Sequence, residues 1–159
     1  MEDIRSLADK LIAMRIPYAY WTGGATQLRE PMWAENAPFP DTILAANCAG
    51  LLNLILRYLG KSLPESSPND EYRGGTAAYY NYYSSVRRDF DVNTEYPDGT
   101  LVGRNYRNTI DQGHVAIILD GKVFQSTPGY GVNALFTLEE SHVAFEGYEY
   151  CVYPEDWLL

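Results

Sequence analysis

The two apolar runs on either side of Asp120 and Gly121 constrain this chain more than any other feature. Residues 114–119 (His-Val-Ala-Ile-Ile-Leu) and 122–127 (Lys-Val-Phe-Gln-Ser-Thr) are strand-length, rich in β-branched side chains, and joined by a residue pair that favours a tight hairpin. A turn this short leaves one register. Leu119 faces Lys122, so counting outward puts Thr127 opposite His114 and makes Gln125 a diagonal neighbour of His114 on the same side. Further β-type runs at 100–104 and 148–153 extend the expectation to a mainly antiparallel sheet.

The first half of the chain has helical periodicity instead. Ile4, Leu7, Ala8, Leu11 and Ile12 recur at a three-and-four spacing over 3–15, and Pro17 ends the segment. Asn47 is a good cap for a second helix, in which Leu51, Leu54, Ile55, Tyr58 and Leu59 share a face that Leu52 and Leu56 widen; Gly60 closes it, and burial on most sides is expected. Residues 76–89 read as a tyrosine-laden helix capped at Gly75 or Thr76, and the Thr137/Glu140 spacing predicts a short capped helix ahead of Val143 and Phe145. Between the first two helices, 18–45 is rich in Gly, Pro and Asn and reads as a long irregular segment, of the kind that usually serves a function. Helices first and strands afterwards predict an α+β fold, one domain over 1–159, with N-terminal helices packed on the sheet.

Composition narrows the function classes. A chain of 159 residues with 46% apolar and 21% charged residues can bury a core and is not of the disordered type. Its net charge of -9 opposes binding to phosphate backbones or anionic lipid, so no nucleic-acid partner is expected. No apolar run approaches the roughly 20 residues that span a bilayer, and Met1-Glu2-Asp3-Ile4-Arg5 lacks the pattern of a secretory signal. The expectation is a soluble chain without a membrane span, cytoplasmic or exported by a route other than Sec. Cys48 and Cys151 match neither zinc-site spacing nor a disulfide framework, so no metal is expected.

The chemistry centres on Cys48. It falls in the first turn of the second helix, where unpaired N–H groups and the positive end of the helix dipole favour a thiolate and can also stabilise an oxyanion. Free cysteines are usually inert core residues, and what moves the reading is His114 at the mouth of a central strand, able to face a helix N-terminus packed on the sheet. The competing histidine, His142, lies in the short capped helix, where a solvent-facing or core-edge role is the default. A cysteine-histidine pair usually needs a third group to fix the ring tautomer. Gln125 has the right parity and an amide oxygen that can accept from the imidazole; Thr127 offers only a hydroxyl, and Ser126 points to the other face.

These stretches, in this order, resemble the NlpC-type cell-wall peptidases, a papain-like family. Its members commonly read Pro-Tyr-x-x-Gly-Gly, Asp-Cys-Ser-Gly-Leu, Pro-Gly-Asp-Leu and Gly-His-Val-Gly-Ile. Here they are Pro17 to Gly24, Asn47-Cys48-Ala49-Gly50-Leu51, Pro97 to Val102 and Gly113-His114-Val115-Ala116-Ile117. The resemblance implies a papain-like NlpC-type fold, Cys48 as nucleophile, His114 as base and Gln125 where the family usually has a second histidine. It also implies Tyr20 near the oxyanion pocket, with Tyr18 as its rival and Asn47 beside the nucleophile where the family has aspartate. Ala49 replaces the usual serine. The segment between Gly24 and Asn47 is long for the family and, with Trp33, Phe39 and the tyrosines at 72, 79, 80, 82 and 83, is a candidate lid or wall over a substrate.

The function that follows is hydrolysis of a peptide amide through an acyl-enzyme, with no cofactor. The resemblance alone points to a peptidoglycan stem peptide as the substrate. Two alternatives stand beside it: another acyl transfer, deamidation or proteolysis outside the cell wall on the same residues, and a noncatalytic module whose aromatic groove holds a peptide.

Overall fold

The computed structural model describes residues 1–20, 32–33, 43–65 and 73–159. In chain order the elements are α1 (Glu2–Ala13), β1 (Met32–Trp33), β2 (Ile43–Ala45), α2 (Cys48–Tyr58), α3 (Thr76–Tyr82), β3 (Arg88–Asp89), β4 (Leu101–Arg104), β5 (His114–Leu119), β6 (Lys122–Thr127), β7 (Gly131–Asn133), α4 (Leu138–Ser141), a π-helical turn His142–Glu146, β8 (Tyr150–Val152) and α5 (Pro154–Trp157). The architecture is α+β. A six-stranded sheet of order β3-β8-β4-β5-β6-β7, antiparallel throughout, carries the helices.

The hairpin at Asp120 and Gly121 sets the centre of that sheet. Leu119 pairs with Lys122, Ile118 with Val123 and Ile117 with Phe124, the register the two-residue turn requires. Alternation then sorts the strand residues into two cores. Val115, Ile117, Leu119 and Phe124 belong to the larger cluster, which also holds Leu51, Leu54 and Ile55 of α2 and Leu7 and Leu11 of α1. Val102, Ala116, Ile118, Val123 and Cys151 form a smaller cluster with Tyr148. The side chains from Leu51 to Leu56 are at most 1% exposed, so α2 is anchored on nearly every side, each leucine or isoleucine contributing about 2 kcal/mol of burial. Asn53 lies within that run with both ends of its amide engaged: its oxygen accepts from the Tyr79 hydroxyl at 2.8 Å and its NH2 donates to the Gly74 carbonyl at 3.0 Å.

Several elements depart from the sequence reading. The helix expected over 76–89 stops at Tyr82, because the chain turns at Tyr83 and residues 88–89 pair with Cys151 and Tyr150 of β8. Sheet pairing takes the backbone groups that a longer helix would have used. The segment expected to be irregular over 18–45 contains a short antiparallel ladder, β1 with β2. Gly23, Gly24, Phe39 and Tyr72 lie outside the described residues, as does most of the proposed lid. The last strand is confined to 150–152, and β3, β7 and α5 were not anticipated. β7 pairs with β6 through Gln125 and Asn133, Ser126 and Val132, Thr127 and Gly131, and on its outer side the Val132 N–H donates to the Ile16 carbonyl at 3.0 Å.

Among the described residues no helix is long and apolar enough to cross a membrane. Cys151 is a buried, unpaired core residue of β8. Asp98 ties three elements together: it pairs with Arg5 of α1, and its carboxylate accepts the Asp120 N–H at 2.9 Å, bracing the central hairpin turn.

Candidate active site

Cys48 is the first residue of α2. The Asn47 side-chain oxygen accepts the Gly50 N–H at 2.7 Å and the Asn47 carbonyl accepts that of Leu51 at 3.0 Å, closing the cap. The N–H of Cys48 itself stands where no intrahelical carbonyl can reach it. Two contacts fix the chain leading into the helix: Ser126 Oγ donates to the Ala46 carbonyl at 2.8 Å, and Ala46 forms a parallel bridge with Tyr18. The nucleophile candidate is thereby bolted to the sheet on one side and to the segment at Tyr18 on the other.

His114 opens β5 and is 5% exposed. Alternation gives it the face of Ala116 and Ile118, opposite to α2, yet it meets Cys48 because both residues stand at the start of their elements, at one end of the sheet. Its Nε2 lies 2.8 Å from Gln125 Oε1. Since an amide oxygen only accepts, this contact places a proton on Nε2 and leaves Nδ1 as the ring nitrogen for Cys48. Burial pulls the His114 pKa down, but the hydrogen bond and charge of Cys48, followed by Glu146 and Gln125, outweigh it and leave the group above its ordinary value. Thr127, the residue opposite His114 by register, has its hydroxyl engaged by Asn133 Nδ2 at 3.1 Å.

Gly113 makes the approach to His114 possible. Its φ of 79° suits glycine, and a Cβ there would lie 2.5 Å from the Arg104 carbonyl oxygen. Arg104 and His114 are cross-strand partners on β4 and β5.

The cleft around this pair has a volume of about 370 Å³, and Tyr18, Tyr20, Asn47, Cys48, His114 and Glu146 all line it. The two tyrosines differ in kind. Tyr18 is half-buried, and burial, then the charges of Cys48, Tyr20 and Glu146, push its hydroxyl up to about 12, so it remains a proton donor. Tyr20 is 51% exposed, and its hydroxyl donates to Gln112 Oε1 across the cleft mouth. Asn47 uses its oxygen as the helix cap, so its recognisable role is structural. His142 stands apart: its Nδ1 accepts the Tyr148 N–H at 2.9 Å, and its ring packs with Phe90 and Tyr148.

One residue that sequence reasoning missed stands in the cleft. Glu146 Oε2 lies 3.8 Å from His114 Nδ1 and 3.4 Å from Arg104 Nη1. It sits at the end of the π-helical turn just before Gly147, whose φ of 58° ends that turn. No local pattern in the sequence marks it, since neither a three-and-four nor a two-residue period runs through 142–147. No group of three or more His, Cys, Asp or Glu side chains with metal-binding geometry occurs among the described residues.

Comparison with protein-family models, curated proteins and solved structures gave no match for this chain.

Proposed function

We propose that this protein is a cysteine hydrolase that cleaves a peptide amide through an acyl-enzyme, with Cys48 as nucleophile and His114 as acid and base. The observation that carries this reading is the chain of contacts from a sulfur at a helix start, through the imidazole, to a buried amide oxygen that fixes the ring's tautomer. The Cys48 thiolate adds to the carbonyl carbon, and the oxyanion lies against the Cys48 N–H with the Tyr18 hydroxyl as second donor. The tetrahedral adduct collapses as His114 Nδ1–H protonates the departing nitrogen, leaving a thioester. Water then attacks that carbonyl, giving one proton to His114, and the thiolate is expelled with release of the acid.

The papain-like NlpC-type fold and a peptidoglycan stem peptide as substrate belong to this proposal. They are supported by the motifs at Pro17, Asn47, Pro97 and Gly113, which bring Tyr18, Cys48 and His114 to one cleft. Incubating the protein and its Cys48→Ala variant with purified cell-wall sacculi, followed by mass spectrometry of the soluble fragments, tests both parts. New amino and carboxyl termini released by the wild type alone support hydrolysis at the stem. Equal release by both proteins removes the cysteine mechanism, and cleavage of protein substrates with sacculi left intact removes the cell-wall assignment.

A further inference from the structure

We propose that Glu146 is the charged positioning partner of His114, a carboxylate that keeps the imidazolium paired after Cys48 has given up its charge to the acyl group. The inference rests on the hydrolytic reading above and adds a residue to it. Gln125 orients the ring but is neutral, so it supplies direction without a counter-charge. Glu146 supplies the charge: its Oε2 is 3.8 Å from Nδ1, the ring nitrogen that Gln125 does not occupy, and its side chain is 17% exposed.

The position of that carboxylate is held from two sides. Arg104 Nη1 donates to the backbone carbonyl of Glu146 and also lies 3.4 Å from its carboxylate. Arg104 is in turn paired with Asp111 at 3.1 Å, so its positive charge is divided between two anions and bears less on the ring beside it. Among the described residues, the other titratable groups around His114 are Cys48 from α2, Tyr148 with its ring 6.3 Å away, Tyr18 and Tyr20 in the cleft, and Asp111, which is paired with Arg104. Once the sulfur is acylated, Glu146 is the nearest anion left to the imidazole among these. The π-helical turn that delivers it is a form of helix often found at functional sites.

The chemistry requires such a group at one step. Proton donation to the departing nitrogen and proton uptake from water both pass through an imidazolium, and an anion within about 4 Å favours that form. Glu146 therefore acts through His114 and touches no reacting bond.

The test is an NMR titration of the imidazoles, which needs no substrate and so is decided separately from hydrolysis. The chain has 2 histidines, and His142, held by Tyr148, serves as the internal reference. In Glu146→Gln the His114 midpoint is expected to move to lower pH by about one unit, and Glu146→Asp to recover part of that shift. On any peptide the wild type cleaves, kcat in Glu146→Gln falls about tenfold with KM held, and the alkaline limb of its pH profile moves the same way as the titration. Should the glutamine variant fail to fold, Glu146→Met, matched in bulk, repeats the titration. A folded, charge-less variant whose His114 midpoint stays where the wild type has it overturns the proposal. So does a fall in KM-linked binding alone with kcat unchanged.

Discussion

Gln125 Oε1 and His114 Nε2 are 2.8 Å apart across neighbouring strands, at the diagonal of a register set by a two-residue turn. The contact is buried, with Gln125 at 2% exposure, and it engages Nε2 so that Nδ1 is the nitrogen left for the sulfur. Replacing the amide by an apolar group of similar size removes the acceptor and leaves the ring free to turn. Gln125→Leu is expected to lower kcat roughly 10- to 100-fold at constant fold. Circular dichroism and steady-state kinetics on the same preparation check this, and an unchanged kcat would show that the glutamine does not orient the base.

The ionisation of His114 links the site to stability. Burial lowers its pKa, while Cys48, Glu146 and Gln125 together leave it raised above 6.5. A histidine with a raised folded-state pKa binds its proton more tightly when folded, so its contribution is complete below the unfolded value and disappears as pH rises through the folded one. The difference in unfolding free energy between wild type and His114→Gln should therefore be largest near about pH 5 and shrink toward alkaline pH. Urea denaturation across that range measures it; a difference that grows with pH contradicts the ion-pair arrangement.

Gly113 and Gly121 both have positive φ, 79° and 76°, but only Gly113 is crowded, with the Arg104 carbonyl where a Cβ would go. Gly121→Ala should cost about 1 kcal/mol from backbone strain alone and leave catalysis intact. Gly113→Ala should cost about 2 kcal/mol or more and displace His114, so both Tm and kcat fall. Equal thermal shifts for the two variants, with equal activity, would remove the close-approach explanation.

Asp98 belongs to the fold and not to the chemistry. Burial works against its carboxylate, but Arg5 and the Asp120 N–H hold its pKa below 3.8. A carboxylate with a depressed folded-state pKa stabilises above its unfolded value and loses that contribution as pH falls through the folded one. Asp98→Asn is expected to lose about 1 kcal/mol at neutral pH and progressively less toward pH ~2, by denaturant titration at each pH. A loss that is constant with pH would assign the effect to packing.

How much of this was legible in the sequence depends on how local its cause is. The register of β5 and β6, and with it the Gln125 partner, follows from a turn of two residues. The burial of α2 follows from seven apolar positions and a cap within one stretch of chain. The helix at 76 ended early because β8, more than sixty residues away, offered its backbone as a partner, which no local propensity records. Tyr18 is held beside Cys48 because Ala46 bridges it, again a tertiary event. Glu146 was illegible for both reasons: a π-helical turn has no familiar period, and its partners Arg104 and His114 are assembled by the sheet. Pro154 at the start of α5 is a readable helix signal, but a helix of 4 residues is too short to show a period.

The outer strands have a bearing on how these molecules treat one another. A sheet ordinarily ends in a row of unsatisfied amides that can recruit a foreign strand and seed fibrous growth. Here one rim is β3, a pair of oppositely charged residues, Arg88 and Asp89, too brief to template a ladder. The other rim, β7, already hands its Val132 amide to Ile16. With both borders of the six-stranded sheet closed off in this way, neither offers a neighbouring molecule a long open ladder on which cross-β growth could start.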